Sequence, residues 1–317
     1  MIEMMNRTTE LRVGTHDGEF HADEVLAIAS LKIAASKSEG LIIPEIEVVR
    51  TRDPEVLETC DVLVDVGSEY DPARNLFDHH QEGGAGERSN KIPYASLGLI
   101  WKEVGPTVCD DSQDCADFVD EHLIQLIDAY DNHFPLFKKG DIPHVGDLLP
   151  GVSITNNNFL PGMTEEEKFN EALRDGRKLI LGHASRAVAM HEGTPEIREA
   201  LENAPQPEIV LLPTIEGVRW QATLPDISEE ALLVVQPDSG GTRWAVRTVP
   251  KDPNSTDMRI LLPKAWRGIE NSEEIKRVTE GIDNVTFIHP KGFFAATTTQ
   301  DSAMELADRT VELAQAA

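Results

Sequence analysis

Short apolar stretches alternate with helical patterns along the first half of the chain. The segments Leu11 to Thr15 and Glu45 to Thr51 have the composition of strands, and a helical pattern from Asp23 to Ala35 lies between them. Asp61 to Val66 (DVLVDV) is an apolar run typical of a strand covered on both faces. Because alternating strands and helices favour a parallel sheet with helices on both sides, we predict a doubly wound, mainly parallel α/β domain.

The 317 residues suffice for two domains, since one domain usually takes about 100 to 200 residues. Lys138 to Gly162 is rich in Pro, Gly and Asn and lacks periodicity, which indicates a linker or an active-site loop. We therefore expect a catalytic domain over residues 10–150 and a smaller α+β domain over 151–317 that includes a helical linker. Helices are predicted at 94–104, 115–130, 165–203, 272–281 and 302–314, and strands at 208–212, 218–224, 232–236, 243–249 and 285–289.

Neither a membrane span nor a disulfide framework is predicted. No stretch approaches the eighteen apolar residues that a span requires, and the first ten residues, MIEMMNRTTE, lack the apolar core of a signal peptide. Cys60, Cys109 and Cys115 are odd in number and form no C-x-x-C pair. We expect a cytoplasmic protein in a reducing compartment, with no membrane partner.

The net charge of −27 comes from 56 acidic and 29 basic residues, and the acidic residues are spread along the whole chain. Such a surface keeps a protein soluble. A protein that binds nucleic acid mainly by neutralising phosphates shows a basic stripe, and none is evident here. Any polynucleotide would therefore have to be held locally, near the site.

Side chains that can bind metal ions are concentrated in four motifs, and two of these motifs hold four of the ten histidines. The first two motifs lie at the ends of predicted strands and FDHHQ follows a further turn-rich segment, and ligands bind at the carboxyl ends of the strands in such sheets. The four motifs are GTHDGEFHADE (14–24), VDVGSEYD (64–71), FDHHQ (77–81) and IDAYDNH (127–133).

Mixed imidazole and carboxylate ligands suit Mn²⁺, Fe²⁺ or Zn²⁺, whereas Ca²⁺ prefers oxygen ligands alone. Two such ions about 3.5 to 4 Å apart can share a carboxylate, activate water at neutral pH and stabilise a phosphoryl group during in-line attack. Asp65, at the end of the central strand, is the candidate for the shared carboxylate. The motifs therefore predict a metal-dependent phosphoesterase.

The first half of the chain carries the segments GTHDGEFHADEVLA, VVRTRDPE, VDVGSEYDP, FDHHQ and IDAYDN, and the second half carries ILLPKAWRG (260–268) and VTFIHPKGFF (285–294). These segments resemble the MYG1 family (UPF0160), and the resemblance spans most of the chain. That family is similar to the DHH phosphoesterases, which include RecJ-type nucleases and family II inorganic pyrophosphatases. The resemblance implies a DHH-like catalytic domain, and a 3′ to 5′ exonuclease that acts on RNA or short oligonucleotides. It also implies that the C-terminal domain positions the substrate.

The resemblance further implies two divalent ions, with Mn²⁺ as the first choice and Mg²⁺, Fe²⁺ or Zn²⁺ as alternatives. The DHH pattern assigns one ion to His16, His21 and Asp65, and the other to Asp23, Asp65, His79 and Asp128. Asp131 competes with Asp128 for the last ligand position, and the spacing leaves that choice open.

Two further residues of the FDHHQ motif are candidate catalytic groups. His80 would support the ligands or act as a cation near the scissile phosphate, and Asp78 would orient His79 or His80 through a hydrogen bond. The candidate phosphate contacts are Arg52, Arg267 and Lys291, with Arg50 and Lys264 as further basic residues.

One segment departs from the family pattern. Where relatives tend to carry a glycine-rich turn after the Gly-Phe pair, this chain has Ala295, Ala296 and Thr297. Glycines would let the backbone approach a phosphate closely, and alanines restrict that approach. The glycine-rich stretch Gly83 to Gly86 is not followed by Lys-Ser or Lys-Thr, so it is no nucleotide-binding P-loop.

Two alternatives to the exonuclease remain open. The first is a small-molecule phosphohydrolase acting on pyrophosphate or a cyclic dinucleotide, which the acidic surface favours somewhat. The second is a metal-binding protein without turnover, against which the retention of every expected ligand type argues. Trp220, Trp244 and Trp266 could stack on bases, but their apolar, strand-like surroundings favour core packing. A homodimer is the candidate assembly.

Overall fold

The computed structural model describes residues 9–37, 44–135, 162–213, 220–238, 240–253, 255–269 and 272–316. The chain forms two compact units, Met1–Val188 and Ala189–Ala317. The division falls within a long helix, α6 (Glu165–Glu202). Side chains of this helix from Phe169 to Ala187 join the core of the first unit, whereas Ile197 joins a cluster in the second. The boundary expected near residue 150 lies outside the described residues, as does the 138–162 segment except for Gly162.

The first unit contains a five-stranded sheet in the order β2-β1-β3-β5-β4. All its strand pairs are parallel except β4 with β5, which confirms the α/β class with a mainly parallel sheet. The strands are β1 (Glu10–Thr15), β2 (Glu45–Arg50), β3 (Val62–Val64), β4 (Tyr70–Asp71) and β5 (Leu76–Phe77).

The short helix α2 of the first unit begins at a side-chain cap. Asp53 accepts a hydrogen bond from the N–H of Glu55, and Pro54 occupies the first helical position of the short helix α2. The first helix, α1, is apolar around most of its surface, and nearly all of its residues are buried, so it lies within the core. The helices are α1 (Ala22–Lys37), α2 (Pro54–Leu57), α3 (Ser96–Val108), α4 (Gln113–Val119) and α5 (Gln125–Asp131), with a π-helical turn (Asp120–Ile124) between the last two.

The second unit is an α+β structure around a five-stranded sheet in the order β6-β7-β8-β10-β9. Only the β6–β7 pair is parallel. The strands are β6 (Ile209–Leu211), β7 (Leu233–Pro237), β8 (Trp244–Thr248), β9 (Val285–Ile288) and β10 (Phe294–Thr297), and the helices are α7 (Trp220–Ile227), α8 (Ser272–Val278) and α9 (Gln300–Gln315).

One expectation for the second unit is wrong. The strand expected over 218–224 is the helix α7 from Trp220 onward, because Trp220 and Leu224 stand four residues apart and bury the same helical face. Ala295 to Thr297, which stand where relatives tend to carry a glycine-rich turn, belong to strand β10 and are buried.

The tryptophans pack as apolar side chains. Trp220 and Trp266 are buried, and Trp244 packs against the same core as Trp266. The indole N–H of Trp220 donates a hydrogen bond of 2.7 Å to Oε1 of Gln236, which satisfies its one polar atom. Among the described residues, no helix combines the length and the apolar character that crossing a membrane requires.

Candidate metal centre

Three neighbouring parallel strands of the first unit end beside one another, and a candidate site residue follows each of them. His16 follows β1 directly, Asp65 follows β3, and Asp78 follows β5. Because β1, β3 and β5 are adjacent and parallel, their carboxyl ends meet at one edge of the sheet. The sequence motifs are therefore brought together at that edge.

The side chains at this edge form three overlapping groups in which each residue offers one ligand atom within 4.8 Å of the others. Asp65 belongs to two groups, and His79 also belongs to two. A cavity of about 930 Å³ opens onto members of all three groups. The groups are His16, His21, Glu24 and Asp65; Asp65, His79 and His80; and Asp23, His79 and Asp131.

Asp65 lies at the centre of this arrangement. Its Oδ2 is 3.4 Å from Nε2 of His16, its Oδ1 is 3.5 Å from Nε2 of His79, and the hydroxyl of Ser96 donates to Oδ1 over 3.2 Å. The backbone φ of Asp65 is 57°, in the left-handed region that non-glycine residues seldom occupy. Backbone strain of this kind is held in place by surrounding structure and concentrates at functional sites.

Asp23 connects the cluster to the N-terminus of helix α3. Its two carboxylate oxygens accept hydrogen bonds from the backbone N–H groups of Ser96 (2.9 Å) and Leu97 (2.7 Å). The carboxylate thus satisfies donors that a helix leaves unpaired in its first turn. Burial, together with the nearby Asp131 and Asp65, raises the pKa of Asp23 well above its ordinary value.

Glu24 is a member of the site that the predicted ligand set omits. Its Oε1 lies 3.1 Å from Nε2 of His16 and accepts a 2.8 Å hydrogen bond from the backbone N–H of His21. Its Oε2 is buried without a hydrogen-bond partner in the described structure. His21 directly precedes helix α1, and Glu24 is the third residue of that helix. A glutamate at this position is part of the capping-box pattern, which predicts its contact with the backbone of His21.

Asp78 organises the turn that carries the two adjacent histidines. Its Oδ1 accepts from the backbone N–H groups of His79 (2.7 Å) and His80 (3.2 Å), and lies 2.7 Å from Nδ1 of His80. Its Oδ2 accepts from the backbone N–H of Ser68 over 2.6 Å. Of the two rings it was expected to orient, Asp78 holds that of His80, whose side chain is 59 % exposed at the cavity.

The structure brings Asp131 into the cluster, and Asp128 stays outside it. Oδ2 of Asp131 lies 3.1 Å from Nε2 of His79. Asp128 is fully buried, with Oδ2 2.7 Å from Nη1 of Arg88 and Oδ1 accepting from the backbone N–H of Gly98 over 3.0 Å. Because both oxygens of Asp128 already have partners, the geometry favours Asp131 as the ligand on this helix.

The buried histidines lie in a setting that stabilises positive charge. Burial lowers the pKa of His79, but Asp131 and Asp65 outweigh that effect and raise it to about 11. The pKa of His16 is likewise raised to about 10, by Asp65 and Glu24 against the effect of burial. Although burial acts to raise it, the pKa of Asp65 is lowered by the two histidines.

One buried atom is placed for a bond that the protein itself does not make. Oε2 of Glu24 has no hydrogen-bond partner in the described structure, whereas Nε2 of His79 lies 3.1 Å from Oδ2 of Asp131. An unsatisfied buried polar atom is unfavourable, and a bound cation would satisfy Oε2 of Glu24. The mixed nitrogen and oxygen donors, their overlap through Asp65 and this unsatisfied oxygen therefore fit divalent transition ions.

The candidate phosphate contacts fall in different places. Arg52 lines the cavity, with Nε 3.4 Å from Oδ1 of Asp17. Arg50 lies over two phenylalanine rings of the first unit and donates to a backbone carbonyl, which gives it a packing role. Arg267 and Lys291 belong to the second unit.

Comparison with known proteins gives consistent relatives. The model of an uncharacterised protein family, UPF0160, with the short name MYG1_exonuc, matches residues 12–311. The MYG1 exonuclease of Homo sapiens is 29% identical over 95% of this chain and 85% of its own length. The MYG1 exonuclease of Rattus norvegicus is 30% identical over 95% of this chain and 84% of its own length. The MYG1 protein of Schizosaccharomyces pombe is 28% identical over 96% of this chain and 98% of its own length.

Among solved structures, RecJ from Thermus thermophilus in complex with Mn²⁺ is similar with a TM-score of 0.28 and 13% identity, covering 100% of this chain and 54% of that one. The family match extends over both units and includes every motif that the sequence singled out. The chain therefore belongs to the MYG1 family (UPF0160).

Proposed function

We propose that this protein is a metal-dependent phosphoesterase of the exonuclease type, which shortens RNA or short oligonucleotides from the 3′ end by water attack at a two-metal centre. The observation that carries the proposal is the position of Asp65, which is shared by the group around His16 and the group around His79 at one cavity. A carboxylate between two ligand groups is what a pair of divalent ions requires. The names of the human and rat relatives support the exonuclease assignment.

Divalent ions bound there would supply Lewis-acid activation of water and neutralise charge on the phosphoryl group. One ion would be held by His16, His21, Glu24 and Asp65, and the other by Asp23, Asp65, His79 and Asp131. Mn²⁺ is our first choice for both. His80, whose Nδ1 lies 2.7 Å from Oδ1 of Asp78, would present its remaining ring nitrogen to a phosphoryl oxygen.

The cavity suits a phosphodiester better than a compact polyanion. Arg52 is the one lysine or arginine among the described residues that line it. A pyrophosphate, with several negative charges in a small volume, calls for several cationic side chains, whereas one diester group needs fewer. This observation favours an oligonucleotide end over pyrophosphate. The cytoplasm as compartment and a homodimer as assembly stay predictions from the sequence.

The proposal is tested with the full-length protein on 5′-labelled single-stranded RNA, with Mn²⁺ or with chelator. We expect a ladder of shortened RNA that requires Mn²⁺ and is lost in His79→Ala. An RNA whose 3′ end is blocked by phosphate should resist, since attack begins at that end. The control is His191→Ala, an exposed histidine of α6 outside the cluster, which should cleave like the wild type.

Pyrophosphate and a cyclic dinucleotide are assayed in parallel. Phosphate release from pyrophosphate without RNA shortening would move the assignment to small substrates. Inactivity on every substrate, in protein that binds Mn²⁺ by calorimetry, would leave a metal-binding protein without turnover and would overturn the proposal.

A further inference from the structure

Helices cover the sheet of the second unit unequally on its two faces. One face carries Val246, Ala295 and Ile288, which pack with α9 side chains such as Leu306 in one core cluster. On the other face a second cluster, built on Trp220, covers β6 and β7. Among the described residues, that second cluster includes none from β8, β9 or β10.

The remaining part of that second face, which we call the aromatic face, carries Arg247, Phe294 and Phe287 on three adjacent strands. Arg247 pairs with Phe294 across β8 and β10, and Phe287 pairs with Ala296 across β9 and β10. Because side chains alternate between the two faces along a strand, Arg247, Phe294, Ala296 and Phe287 lie on the same side of the sheet. Phe287 is 38 % exposed, although an apolar ring is usually buried.

The rings on the aromatic face are arranged side by side. The ring centroids of Phe287 and Phe294 are 6.0 Å apart, as expected of diagonal neighbours on antiparallel strands. The guanidinium of Arg247 lies 4.7 Å from the centroid of Phe294, and its Nε is buried without a hydrogen-bond partner in the described structure. The face therefore offers the exposed ring of Phe287 beside the half-buried ring of Phe294, which carries the cation of Arg247 on one side.

Further positive charge lies at the turn between β9 and β10. Lys291 is exposed in that turn. Arg267 lies against the turn at Gly292, where an added Cβ would be 2.5 Å from Nε of Arg267. Gly292 has a φ of 75°, so the turn itself favours glycine. In a chain with a net charge of −27, none of Arg247, Arg267 and Lys291 has an ion-pair partner among the described residues.

We propose that the aromatic face binds single-stranded RNA, with bases stacked on Phe287 and Phe294 and with phosphates contacted by Arg247, Arg267 and Lys291. Sheets with exposed aromatic side chains bind single strands in this way, since every base has a flat face to stack. The three cations have no ion-pair partner in the described part of the chain, although Nε of Arg267 donates to the carbonyl of Leu262, and they match a polyanion better than an apolar protein partner. The choice of RNA rests on the proposed function, but the binding does not require cleavage.

The test measures binding of a fluorescein-labelled single-stranded RNA to the full-length protein by anisotropy, in chelator so that no hydrolysis occurs. We expect Phe287→Ala and Phe294→Ala each to weaken binding by about tenfold, the size typical of one stacked base. Arg247→Ala should lower the dependence of affinity on salt, because one fewer counterion is released. The matched control is Leu313→Ala, an apolar residue of α9 that is 43% exposed.

Phe287→Tyr should restore binding, and Phe287→Leu replaces the alanine variant if that variant fails to fold. An RNA with abasic positions should bind the wild type weakly and should be unaffected by the phenylalanine substitutions. Wild-type affinity in the phenylalanine variants, or an equal loss in Leu313→Ala, would overturn the inference. Binding through this face without any Mn²⁺-dependent shortening would uphold the inference and reject the proposed exonuclease.

Discussion

Nη1 of Arg88 lies 2.7 Å from Oδ2 of Asp128, and both side chains are buried. Arg88 also binds the carboxylate of Asp120 through Nε and Nη2, over 2.9 and 2.6 Å. Asp128 in turn accepts from the backbone N–H of Gly98 in helix α3. This chain of contacts fixes α5 against the start of α3 and leaves Asp131, one turn further along α5, to face the histidines.

Arg88→Met should destabilise the protein strongly, because it leaves Asp128 as a buried carboxylate without its cation. We expect the free energy of unfolding to fall by about 3 to 5 kcal/mol, measured by urea denaturation. Lys91→Met, which removes an exposed pair with Glu87, should change it by less than about 1 kcal/mol. An Arg88→Met protein as stable as the wild type would show that Asp128 needs no counter-charge.

Substitutions of the two aspartates on α5 should separate metal binding from stability. Asp131→Asn should weaken Mn²⁺ binding by more than about tenfold and lower the melting temperature of the metal-free protein less than Asp128→Asn does, because Asp131 is partly exposed whereas Asp128 is fully buried. Asp128→Asn should retain Mn²⁺ affinity and melt at a lower temperature, since buried Arg88 loses one of its two carboxylate partners. Calorimetric titration with Mn²⁺ and thermal melting provide both readouts. The reverse pattern would make Asp128 the ligand.

Gly98→Ala should be poorly tolerated. A Cβ at Gly98 would lie 2.0 Å from Oδ2 of Asp128 and 2.9 Å from Nη2 of Arg88, both of which are held in the buried network. We expect a loss of about 1 to 3 kcal/mol in the free energy of unfolding. Gly182→Ala on α6 is the matched control, because nothing lies within 4 Å of its Cβ and alanine favours a helix by about 1 kcal/mol. Equal effects of the two substitutions would contradict this reading of Gly98.

Stability of the metal-free protein should decline as the pH rises above neutrality. His16 and His79 have folded-state pKa values of about 10 and 11, against an ordinary 6.5, so the folded state binds more protons than the unfolded state between these values. Their contribution is complete below pH 6.5 and is lost as the pH rises through 10 to 11.

Urea denaturation of the chelated protein at several pH values from 6.5 upward measures this slope, and His79→Gln should make it shallower. Added Mn²⁺ should stabilise the protein more as the pH rises, because ligand binding needs neutral imidazoles. A slope that is unchanged in His79→Gln would show that His79 does not carry the linkage.

The parts of the site that follow strands could be predicted from the sequence. His16 and Asp65 come after two adjacent parallel strands that the sequence predicts, and the geometry of a parallel sheet brings such positions together whatever the loops do. The grouping of these two residues therefore follows from local patterns alone. Strands β4 and β5 could not be predicted, because two residues are too few to establish a period, and the place of His79 beside Asp65 depends on β5.

The choice between Asp128 and Asp131 depends on a distant residue. Both aspartates lie on α5, and the sequence offers no local reason to prefer one of them. Arg88, forty positions before Asp128, binds the Asp128 carboxylate and so leaves Asp131 to face the histidines. Such a long-range contact cannot be inferred from the spacing of the motif. The strand predicted over 218–224 is wrong for a different reason. A short apolar run fits both a strand and a buried helix, and the residues from Trp220 onward form a helix.

The left-handed backbone conformation of Asp65 costs stability at the position whose carboxylate the proposed metal site needs. Glycine there would relieve the backbone strain, and asparagine tolerates this conformation better than most side chains. Selection for stability alone would therefore move this position away from aspartate, whereas the shared carboxylate keeps it. A version of this protein optimised only for thermal stability should therefore be screened for loss of the Asp65 carboxylate.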